Sequence, residues 1–551
     1  MKKKYLAIAA LTAVVLPSAA QDTYEGAKLM NNDLNGTARY VGMGGAMEAL
    51  GADISTMGTN PAGIGLFRHS TVSASLGVVS QQDVTKFDGL SKTNFSFDQA
   101  GFVYSSRTGQ QSFVNVGINY HKSRNFDQIL SAANSLAYSG ASINKVGFYK
   151  AEQGSEDRGG YDLDFNEQND LMGYANPSSD YRAYTFSQVD YLYMNAFNLD
   201  FDDEGNPSIY YSDADNYLFN RAHRGWISDF DFNISGNIND RVYLGVTFGI
   251  HDVNYKAYSE YGEQMAYVDR NMLAGHTLLC DERTIDGTGF DVKAGIIFRP
   301  IEFSPFRVGF SVSTPTFYDL KTSNFTRLSY NWSEQSNSAI IDHTSTGKTS
   351  ETYEFKMYTP WKFGVSLGHT IGTTVALGAS YEYADYSATD IRINDVDNYS
   401  VWDYDDWQSH SDREMNAHTD HTLKGVHTLK LGAELKPDPA MAVRVGYNYV
   451  SPMYEKNGVR DATLNSIGVM YSSTTDYVNW DDTHRLTCGL GYKYDSWNFD
   501  LAYQYSTTKG TFYPFQPGLE FNYGGLVTNN PEATAVSNNR HQVMMTVGYT
   551  F

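Results

Sequence analysis

The feature that most constrains this chain is a strand-like pattern that returns fourteen times after residue 70, in which large apolar side chains alternate with small or polar ones. In residues 241–256, for example, Val242, Leu244, Val246, Phe248 and Ile250 alternate with Tyr243, Gly245, Thr247 and Gly249. A period of two places one set on one face of a β-strand and the other set on the opposite face. The repeated pattern predicts an all-β protein.

The links between these runs alternate in length. Strands are expected near residues 71–80, 97–107, 112–122, 225–236, 241–256, 286–300, 305–318, 353–369, 372–392, 422–436, 441–456, 483–495, 498–508 and 540–551. Short links fall at 108–111, 237–240, 301–304, 370–371, 437–440 and 496–497, and long polar links near 81–96, 123–224, 257–285, 319–352, 393–421, 457–482 and 509–539. Outer-membrane barrels have tight turns on one side and long loops on the other, and a tilted strand crosses with about 9–11 residues. The pattern predicts a transmembrane antiparallel β-barrel of about 14 strands, because a soluble sandwich or lectin array would not explain this alternation of links.

The first twenty residues have the pattern of a secretory signal peptide. A basic start at Lys2–Lys4 precedes an apolar stretch, residues 6–16, and the small residues of 17–20 suit cleavage before Gln21. After this segment the sequence contains no run of 18 apolar residues, so it predicts no membrane-spanning helix. The expected location is the outer membrane of a Gram-negative cell, crossed many times. Cys280 and Cys488 are too few for a disulfide framework and are expected to be free.

The stretch from Gly42 to Phe67 is apolar but interrupted by glycines and by Pro61, so it predicts a compact irregular plug and not a long helix or strand. The expected organisation is a signal peptide at 1–20, an N-terminal hatch at 21–70 and a barrel at 71–551 whose largest loop covers 123–224. The hatch lies inside the lumen in this interpretation. The residues expected to form the hatch and the ligand path are Gly42, Gly44, Gly45, Asn60, Pro61, Ala62, Gly63 and Gly65.

The chain resembles the FadL/TodX family of outer-membrane transporters of hydrophobic compounds, in the form common in Bacteroidetes. The residues that carry the resemblance are Gly42-Met43-Gly44-Gly45-Ala46 and Asn60-Pro61-Ala62-Gly63 in the hatch, with Thr314-Pro315-Thr316-Phe317-Tyr318, Thr359-Pro360-Trp361, Tyr381-Glu382-Tyr383-Ala384-Asp385-Tyr386 and Arg444-Val445-Gly446-Tyr447 in the barrel. The resemblance implies passive, ligand-gated diffusion of long-chain fatty acids or similar amphiphiles, from the extracellular loops toward the hatch and then sideways through a gap in the wall. It implies neither catalysis nor a cofactor. The long acidic 123–224 segment departs from the family pattern.

The last run ends on Phe551, after His541, Val543, Met545, Val547 and Tyr549 on one face. A terminal aromatic in this setting resembles the signal read by the outer-membrane assembly machinery. The expected partners are therefore a hydrophobic small molecule, outer-membrane lipid and lipopolysaccharide, and the assembly machinery acting through Phe551. The formal net charge of −22 and the lack of a basic stripe argue against nucleic acid.

Other motifs are weaker. The Gly42-x-Gly44 pair lacks the strand and third glycine of a dinucleotide site, and the acidic run at 200–205 has Tyr211 where a calcium loop needs glutamate. The pair His418 and His421 supplies only two of the ligands that a metal site needs. No nucleophile and base stand out, so the protein is not expected to be an enzyme. Looser calcium binding by the acidic loops stays open.

Two other functions stay open at this point. The barrel could be a surface-exposed interaction or secretion-associated protein, or it could bind haem, although no pair of axial ligands is evident. Aromatic residues of the long loops, such as Tyr184 and Trp402, are candidates either for a first landing site of an amphiphile or for a girdle at the membrane interface.

Overall fold

The structure, a computed structural model, describes residues 22–136, 141–153, 161–165, 171–175, 187–194, 198–201, 207–267, 272–332, 337–342, 351–394, 409–464, 466–521, 525–527 and 529–551. The predicted signal peptide, Tyr184 and Trp402 lie outside these residues. Across the described ranges, no helix combines the length and the apolar character that a membrane span requires.

Fourteen antiparallel strands form the wall. Numbered 1 to 14 in chain order, they are Thr71–Gln81, Thr93–Arg107, Phe113–Asn125, Asp213–Ile238, Val242–Tyr267, Met272–Phe298, Arg307–Ser313, Lys362–Ile371, Val375–Asp385, Gly425–Asp438, Met441–Val450, Tyr477–Tyr494, Trp497–Tyr513 and Thr534–Thr550. Each strand pairs with the next, and strand 14 pairs with strand 1 from Thr550↔Thr71 to Arg540↔Gln81. The sheet is closed, which confirms the predicted barrel of 14 strands.

The outer face of the wall is apolar. On strand 14, Val543 and Met545 point outward and are about half exposed, at 47% and 50%, whereas Met544 and Thr546 are buried on the lumen side. The same alternation exposes Leu244, Phe248, Val365, Leu431, Val445, Leu490 and Leu501 on other strands. So large an exposed apolar belt is stable only against lipid, and the barrel therefore spans a membrane.

Several strands run far beyond the width of a membrane. Strands 4 and 5 have 26 residues each and strand 6 has 27, so most of the predicted loop 257–285 is a strand hairpin and not a loop. The sequence of this region shows no clear alternation of apolar and polar residues. Both faces of an extracellular strand extension meet water or loops, so polar side chains occur on both. Strands 7, 8 and 9, each predicted as continuous, are broken at 314–316, 359–361 and 386–389. Pro315 and Pro360 lie at the first two breaks, because proline has no N–H to give to the ladder.

The remaining strands lie above the membrane on the side of the long loops. Gln128–Ser135 continues strand 3, Phe317–Trp332 strand 7, Glu351–Tyr358 strand 8 and Asp390–Asn394 strand 9, while Asn337–Asp342 and Ser409–Ser411 add to the same sheet. Three small hairpins are Tyr161–Phe165 with Leu171–Ala175, Asn198–Phe201 with Pro207–Tyr210, and Leu519–Phe521 with Gly525–Val527. The helices outside the hatch are α3 (Ile143–Gln153), α4 (Gln188–Met194), α5 (Arg413–Thr422) and α6 (Ile467–Met470).

Residues 22–70 lie in the lumen. They contain α1 (Thr23–Met30), α2 (Ala38–Gly42) and two short 3₁₀ helices, Ile54–Gly58 and Pro61–Leu66. The chain enters on the side of the long loops, where Asp22 caps α1 through the N–H of Glu25, and descends to the side of the short turns, where Arg68 contacts Asp240. Sequence periodicity missed α1, because eight residues with mixed polarity give no clear repeat.

The hatch packs directly against wall glycines. A Cβ atom on any of these glycines would approach a hatch atom within 3.3 Å: Gly101, Gly117, Gly245, Gly295, Gly309, Gly368, Gly378, Gly432, Gly446 and Gly489. The small residues on the lumen side of the strands thus leave room for the hatch backbone. A buried ion pair, Glu48 with Lys430 at 2.8 Å, and a partly buried one, Arg39 with Glu434 at 3.1 Å, also hold the hatch to the wall.

Helices α3 and α4 cover the mouth of the barrel. Their apolar residues Ile143, Val189 and Leu192 join a buried cluster with Phe219, Tyr261 and Phe512 from the extended strands. The carboxylate of Glu263 accepts a hydrogen bond from the backbone N–H of Ile143 at the start of α3. This packed cap lies on the side of the long loops, above the hatch.

Candidate ligand-binding site

A cavity lies between the cap and the hatch, against the end of strand 3. Its volume is about 130 Å³. One side is aromatic: the rings of Tyr24 and Tyr454 stack at 5.3 Å, and Tyr24 also meets Tyr477 at 4.9 Å. Phe126, Met453 and Trp480 complete this apolar side. We call this space the upper cavity.

The other side of the upper cavity is basic. Of the described residues that line it, six are basic and three are acidic: Lys28, Arg124, Arg221, Arg460, Arg485 and Arg540 against Asp33, Asp476 and Asp481. This balance is opposite to that of the whole chain, whose net charge is −22. Basic groups facing an aromatic wall suit a ligand with an anionic head and a long apolar body.

Part of this basic charge is already balanced by the hatch. Arg460 forms an ion pair with Asp22, the residue that caps α1, and Arg283 pairs with Glu25 on the same helix. Arg221 of strand 4 pairs with Asp476, the residue just before strand 12. These pairs are buried, so the hatch helix is held in the upper lumen by charge as well as by packing.

Lys28 on α1 contributes a basic group of a different kind. Burial, with the nearby guanidinium of Arg221 acting in the same direction, lowers the pKa of Lys28 to about 8. Glu25, Asp476 and Asp22 act against this shift. An anion bound beside Lys28 would favour its charged form.

Asp33 lies at the floor of the upper cavity. Its Oδ1 is 3.2 Å from Arg124 and 3.9 Å from Arg485, and its Oδ2 accepts a hydrogen bond from the N–H of Asn125 at 2.9 Å. Burial acts to raise the pKa of Asp33, but Arg124, Arg540 and Arg485 together hold it below its usual value. The carboxylate is therefore ionised at the centre of three arginines.

The wall beside Asp33 has an opening. Strands 2 and 3 pair only up to Gln99↔His121; above that point residues 93–97 pair with strand 1, and strand 3 pairs with strand 4. Above the gap, the side-chain amide of Gln81 on strand 1 makes two 2.8 Å hydrogen bonds with the backbone of Ile129, which follows strand 3. These bonds connect the two sides of the gap. We call this opening the wall window. Phe95, Phe97 and Trp226 are exposed on its outer side.

Side chains and the hatch fill the wall window. Asp98 is the bulge residue of strand 2, since Ser75 pairs with Gln99 and Leu76 with Phe97, and it points inward. Asn35 Nδ2 of the hatch donates to Asp98 Oδ1 and to the backbone carbonyl of Lys122, each at 3.0 Å. The N–H of Asp33 donates to the carbonyl of Ser123 at 2.8 Å. The hatch thereby supplies some of the hydrogen bonds that the missing ladder would make.

From strand 14, Arg540 reaches the same region. Its guanidinium donates to the carbonyl of Asp127 at 3.0 Å and to that of Asn125 at 3.5 Å, just above the last residues of strand 3. On the outer side, Lys122 Nζ donates to Ser96 Oγ at 2.9 Å and lies over the ring of Trp226. The closed window is thus held by polar contacts, which can be exchanged for contacts with a ligand or with water.

A second, lower cavity lies between the hatch and strands 3 to 11, and it is strongly polar. His251 contacts Asp229 at 2.8 Å and Asp291 at 3.1 Å, and Lys293 contacts Asp291 at 2.8 Å. His121 lies 3.6 Å from Asp229 and extends the network. The described residues contain no cluster of His, Cys, Asp and Glu that could hold a metal ion. The two cavities share five lining residues, Asn31, Asp33, Val426, Val450 and Arg485, so hatch residues Asn31 and Asp33 separate them.

The residues that the sequence singled out lie lower in the hatch. Seven of these residues contact the wall, whereas Gly63 packs against Thr56 within the hatch: Gly42, Gly44, Gly45, Asn60, Pro61, Ala62 and Gly65. None of the eight lines the upper or the lower cavity, both of which are formed by described residues. Gly44 and Gly45 have φ of 63° and 82°, and a Cβ on Gly44 would lie 2.7 Å from the backbone N of Tyr447. These positions explain why glycine is needed for packing. Their part in a ligand path stays a prediction.

Sequence reasoning missed the basic side of the upper cavity. Four of its arginines come from strands 3, 4, 12 and 14, and Arg460 comes from the segment between strands 11 and 12. These segments are far apart in the chain, and only the tertiary fold brings them together. A signal was present on strand 14, where Arg540 continues the lumen-facing set of Gln542, Met544 and Thr546. Lumen-facing arginines at the upper ends of predicted strands would have pointed to this region.

No protein-family model and no curated protein sequence matches the chain. Among solved structures, the Ralstonia pickettii toluene transporter TbuX is 12% identical with a TM-score of 0.45, over 94% of this chain and 99% of that one. A Pseudomonas aeruginosa FadL homologue is 12% identical with a TM-score of 0.47, over 95% and 100%. The Pseudomonas putida toluene transporter TodX is 9% identical with a TM-score of 0.44, over 95% and 100%. These proteins are of the type that the sequence resembles.

Proposed function

We propose that the protein is an outer-membrane channel for hydrophobic compounds, and that its ligand is a long-chain amphiphile with an anionic head, such as a fatty acid. The observation that carries this proposal is the upper cavity, where six basic side chains face an aromatic wall. A neutral hydrocarbon would offer no charge to the excess of basic groups in this lining, six against three acidic ones. A small polar anion would leave the aromatic side without a partner.

The proposed ligand binds with its carboxylate on the arginines and its chain along Tyr24, Tyr454 and Tyr477. Each CH₂ group removed from water contributes about 0.8 kcal/mol, so the chain supplies most of the affinity. The charged head supplies selectivity, since a charge-assisted hydrogen bond contributes about 1.5–3 kcal/mol.

The proposed exit is the wall window and not the lower cavity. A hydrocarbon chain that descended past Asp33 would meet the charged network of His251, Asp229, Asp291 and Lys293, where it would displace water from ionic groups without pairing them. The wall window instead leads to exposed aromatic side chains, Phe95, Phe97 and Trp226, at the lipid face. Movement is passive, and neither catalysis nor a cofactor is part of this function.

Purification in mild detergent and mass spectrometry of the extracted lipids tests this proposal. We expect fatty acids or similar anionic amphiphiles in about stoichiometric amount. A protein that copurifies with a second protein and carries no amphiphile would contradict the proposal and favour an interaction or secretion-associated barrel.

Three further parts of the sequence interpretation belong to this proposal. Residues 1–20 act as a signal peptide, residues 21–70 act as a hatch that gates the path, and residues 71–551 form the channel in the outer membrane. The outer-membrane assembly machinery reads Phe551, whose ring is 66% exposed while its N–H donates to Ser70. Removal of Phe551 should lower the amount of barrel in the membrane and leave the level of secreted precursor unchanged.

The outer face also offers contacts to lipid and lipopolysaccharide. One arrangement recurs three times at the upper edge of the apolar belt: a histidine pairs across strands with one tyrosine, and its Nδ1 contacts the phenol of a second tyrosine at 2.7–2.8 Å. The sets are His427 with Tyr383 and Tyr381, His484 with Tyr449 and Tyr447, and His541 with Tyr505 and Tyr503. Such amphipathic rings suit the headgroup level of the outer leaflet.

A further inference from the structure

Resting on the proposed function, we infer that Asp33 is an internal substitute for the ligand's carboxylate, which occupies the arginines of the upper cavity and closes the wall window until an anionic ligand replaces it. Asp33 thereby couples binding of the ligand to opening of the wall window.

The position of the carboxylate supports this assignment. Asp33 contacts Arg124 at 3.2 Å and Arg485 at 3.9 Å, and both arginines line the upper cavity. The carboxylate is about 20% exposed, and Arg540 is a further source of positive charge. A ligand carboxylate that reaches these guanidinium groups must either share them with Asp33 or displace it, and two carboxylates at one site repel each other.

The connection between Asp33 and the wall supports the second half of the inference. The backbone N–H of Asp33 bonds to Ser123, and Asn35, two residues on, bonds to Lys122 and Asp98. Because these contacts lie within three consecutive hatch residues, the segment cannot leave the arginines without weakening its contacts with strands 2 and 3. Displacement of Asp33 therefore loosens the closure of the wall window.

This arrangement selects for the head of the ligand. A neutral alcohol of the same chain length fills the aromatic side but offers no charge to the arginines, so it leaves Asp33 in place. An anionic amphiphile compensates the arginines that Asp33 releases. The channel would open for ligands that carry a carboxylate or an equivalent anion.

Hydrogen–deuterium exchange of the full-length protein, purified in mild detergent, tests this with palmitate and its uncharged analogue hexadecanol. We expect palmitate to raise the exchange of the backbone amides in residues 31–36 several-fold, and hexadecanol to leave it unchanged. Binding of palmitate without this change would overturn the inference while the proposed function stands. No binding of palmitate would overturn both.

Two variants complete the test. Asp33→Asn removes the competing charge and should bind palmitate about tenfold more tightly than the wild type, with no change for hexadecanol. Glu48→Gln is the matched control, because it removes another hatch carboxylate, paired with Lys430 outside the arginine cluster. Equal effects of the two variants on palmitate, or weaker binding by Asp33→Asn, would show that Asp33 does not compete with the ligand.

Discussion

The side-chain amide of Asn35 donates to the carboxylate of Asp98 at 3.0 Å, joining the hatch to the strand that borders the wall window. Asp98 is fully buried at a bulge, and the same carboxylate oxygen also accepts a hydrogen bond from Ser96 Oγ at 2.7 Å. This one contact links a residue of the N-terminal segment to the continuity of the barrel wall. Changing this contact therefore tests directly whether the hatch keeps the wall window closed.

Replacement of Asn35 by leucine should weaken this closure. The change keeps the size of the side chain but removes one of the two donors to Asp98, which keeps that of Ser96, and the Asn35 donor to the carbonyl of Lys122, at a cost of about 1–3 kcal/mol. Faster hydrogen exchange in residues 31–36 is the expected result. Asn94→Leu, which loses only an exposed hydrogen bond to Ser91, is the control. Equal exchange in both variants would contradict the role of Asn35.

Replacement of Arg485 by glutamine should lower the affinity for palmitate about tenfold or more, because a charge-assisted contact contributes about 1.5–3 kcal/mol. The affinity for hexadecanol should not change, since the aromatic side of the upper cavity is intact. Titration of both ligands into the purified variant measures this. An equal loss for the acid and the alcohol would mean that Arg485 supports the fold and does not contact the ligand head.

Binding should also depend on pH through Lys28. The pKa of Lys28 is lowered to about 8 by burial and by Arg221, so the free protein loses this charge as pH rises through that value. A bound carboxylate favours the charged form, which means that palmitate binds most tightly below pH 8 and more weakly above it. The variant Lys28→Met should bind with no such dependence. A wild-type affinity that is constant from below to above pH 8 would rule out a contact between Lys28 and the ligand.

The lower hatch is tested by placing valine at Gly63 and Gly65. A Cβ on Gly63 would lie 2.6 Å from Thr56 Oγ1, and one on Gly65 would lie 2.9 Å from the carbonyl of Gly236. We expect the double variant to assemble in the membrane but to fail in palmitate uptake, because the hatch can no longer seat or shift. Gly548→Ala, which meets only ordinary contacts, should transport normally. Normal uptake by the double variant would show that this part of the hatch takes no part in gating.

The fold was predictable because each wall strand carries its own signal. Val543 and Met544 differ in exposure because they face lipid and lumen, and that alternation is visible in the sequence. The extent of the strands was not predictable to the same degree. Strand 5 continues to Tyr267 through polar residues such as Lys256 and Gln264 on its outer face, because above the membrane that face no longer has to be apolar.

The candidate site was predictable only in part. The hatch glycines were evident as breaks in an apolar stretch, and the structure shows them as packing contacts with the wall. The sequence did not show that Asp33, Arg124 and Arg485 form one site, because their proximity depends on the closure of the barrel and on the path of the hatch within it. Local patterns report which face a residue takes, whereas a site built from segments that are distant in the chain is set by register and tertiary packing.

The central claim is that this barrel carries an anionic amphiphile across the outer membrane. Uptake of radiolabelled palmitate by a Gram-negative host that lacks its own fatty-acid channel tests it most directly. With the protein in the outer membrane, uptake should rise well above that of the empty host, and Arg485→Gln at equal abundance should abolish most of the increase. Uptake equal to that of the empty host, with folded protein present in the outer membrane, would contradict the claim.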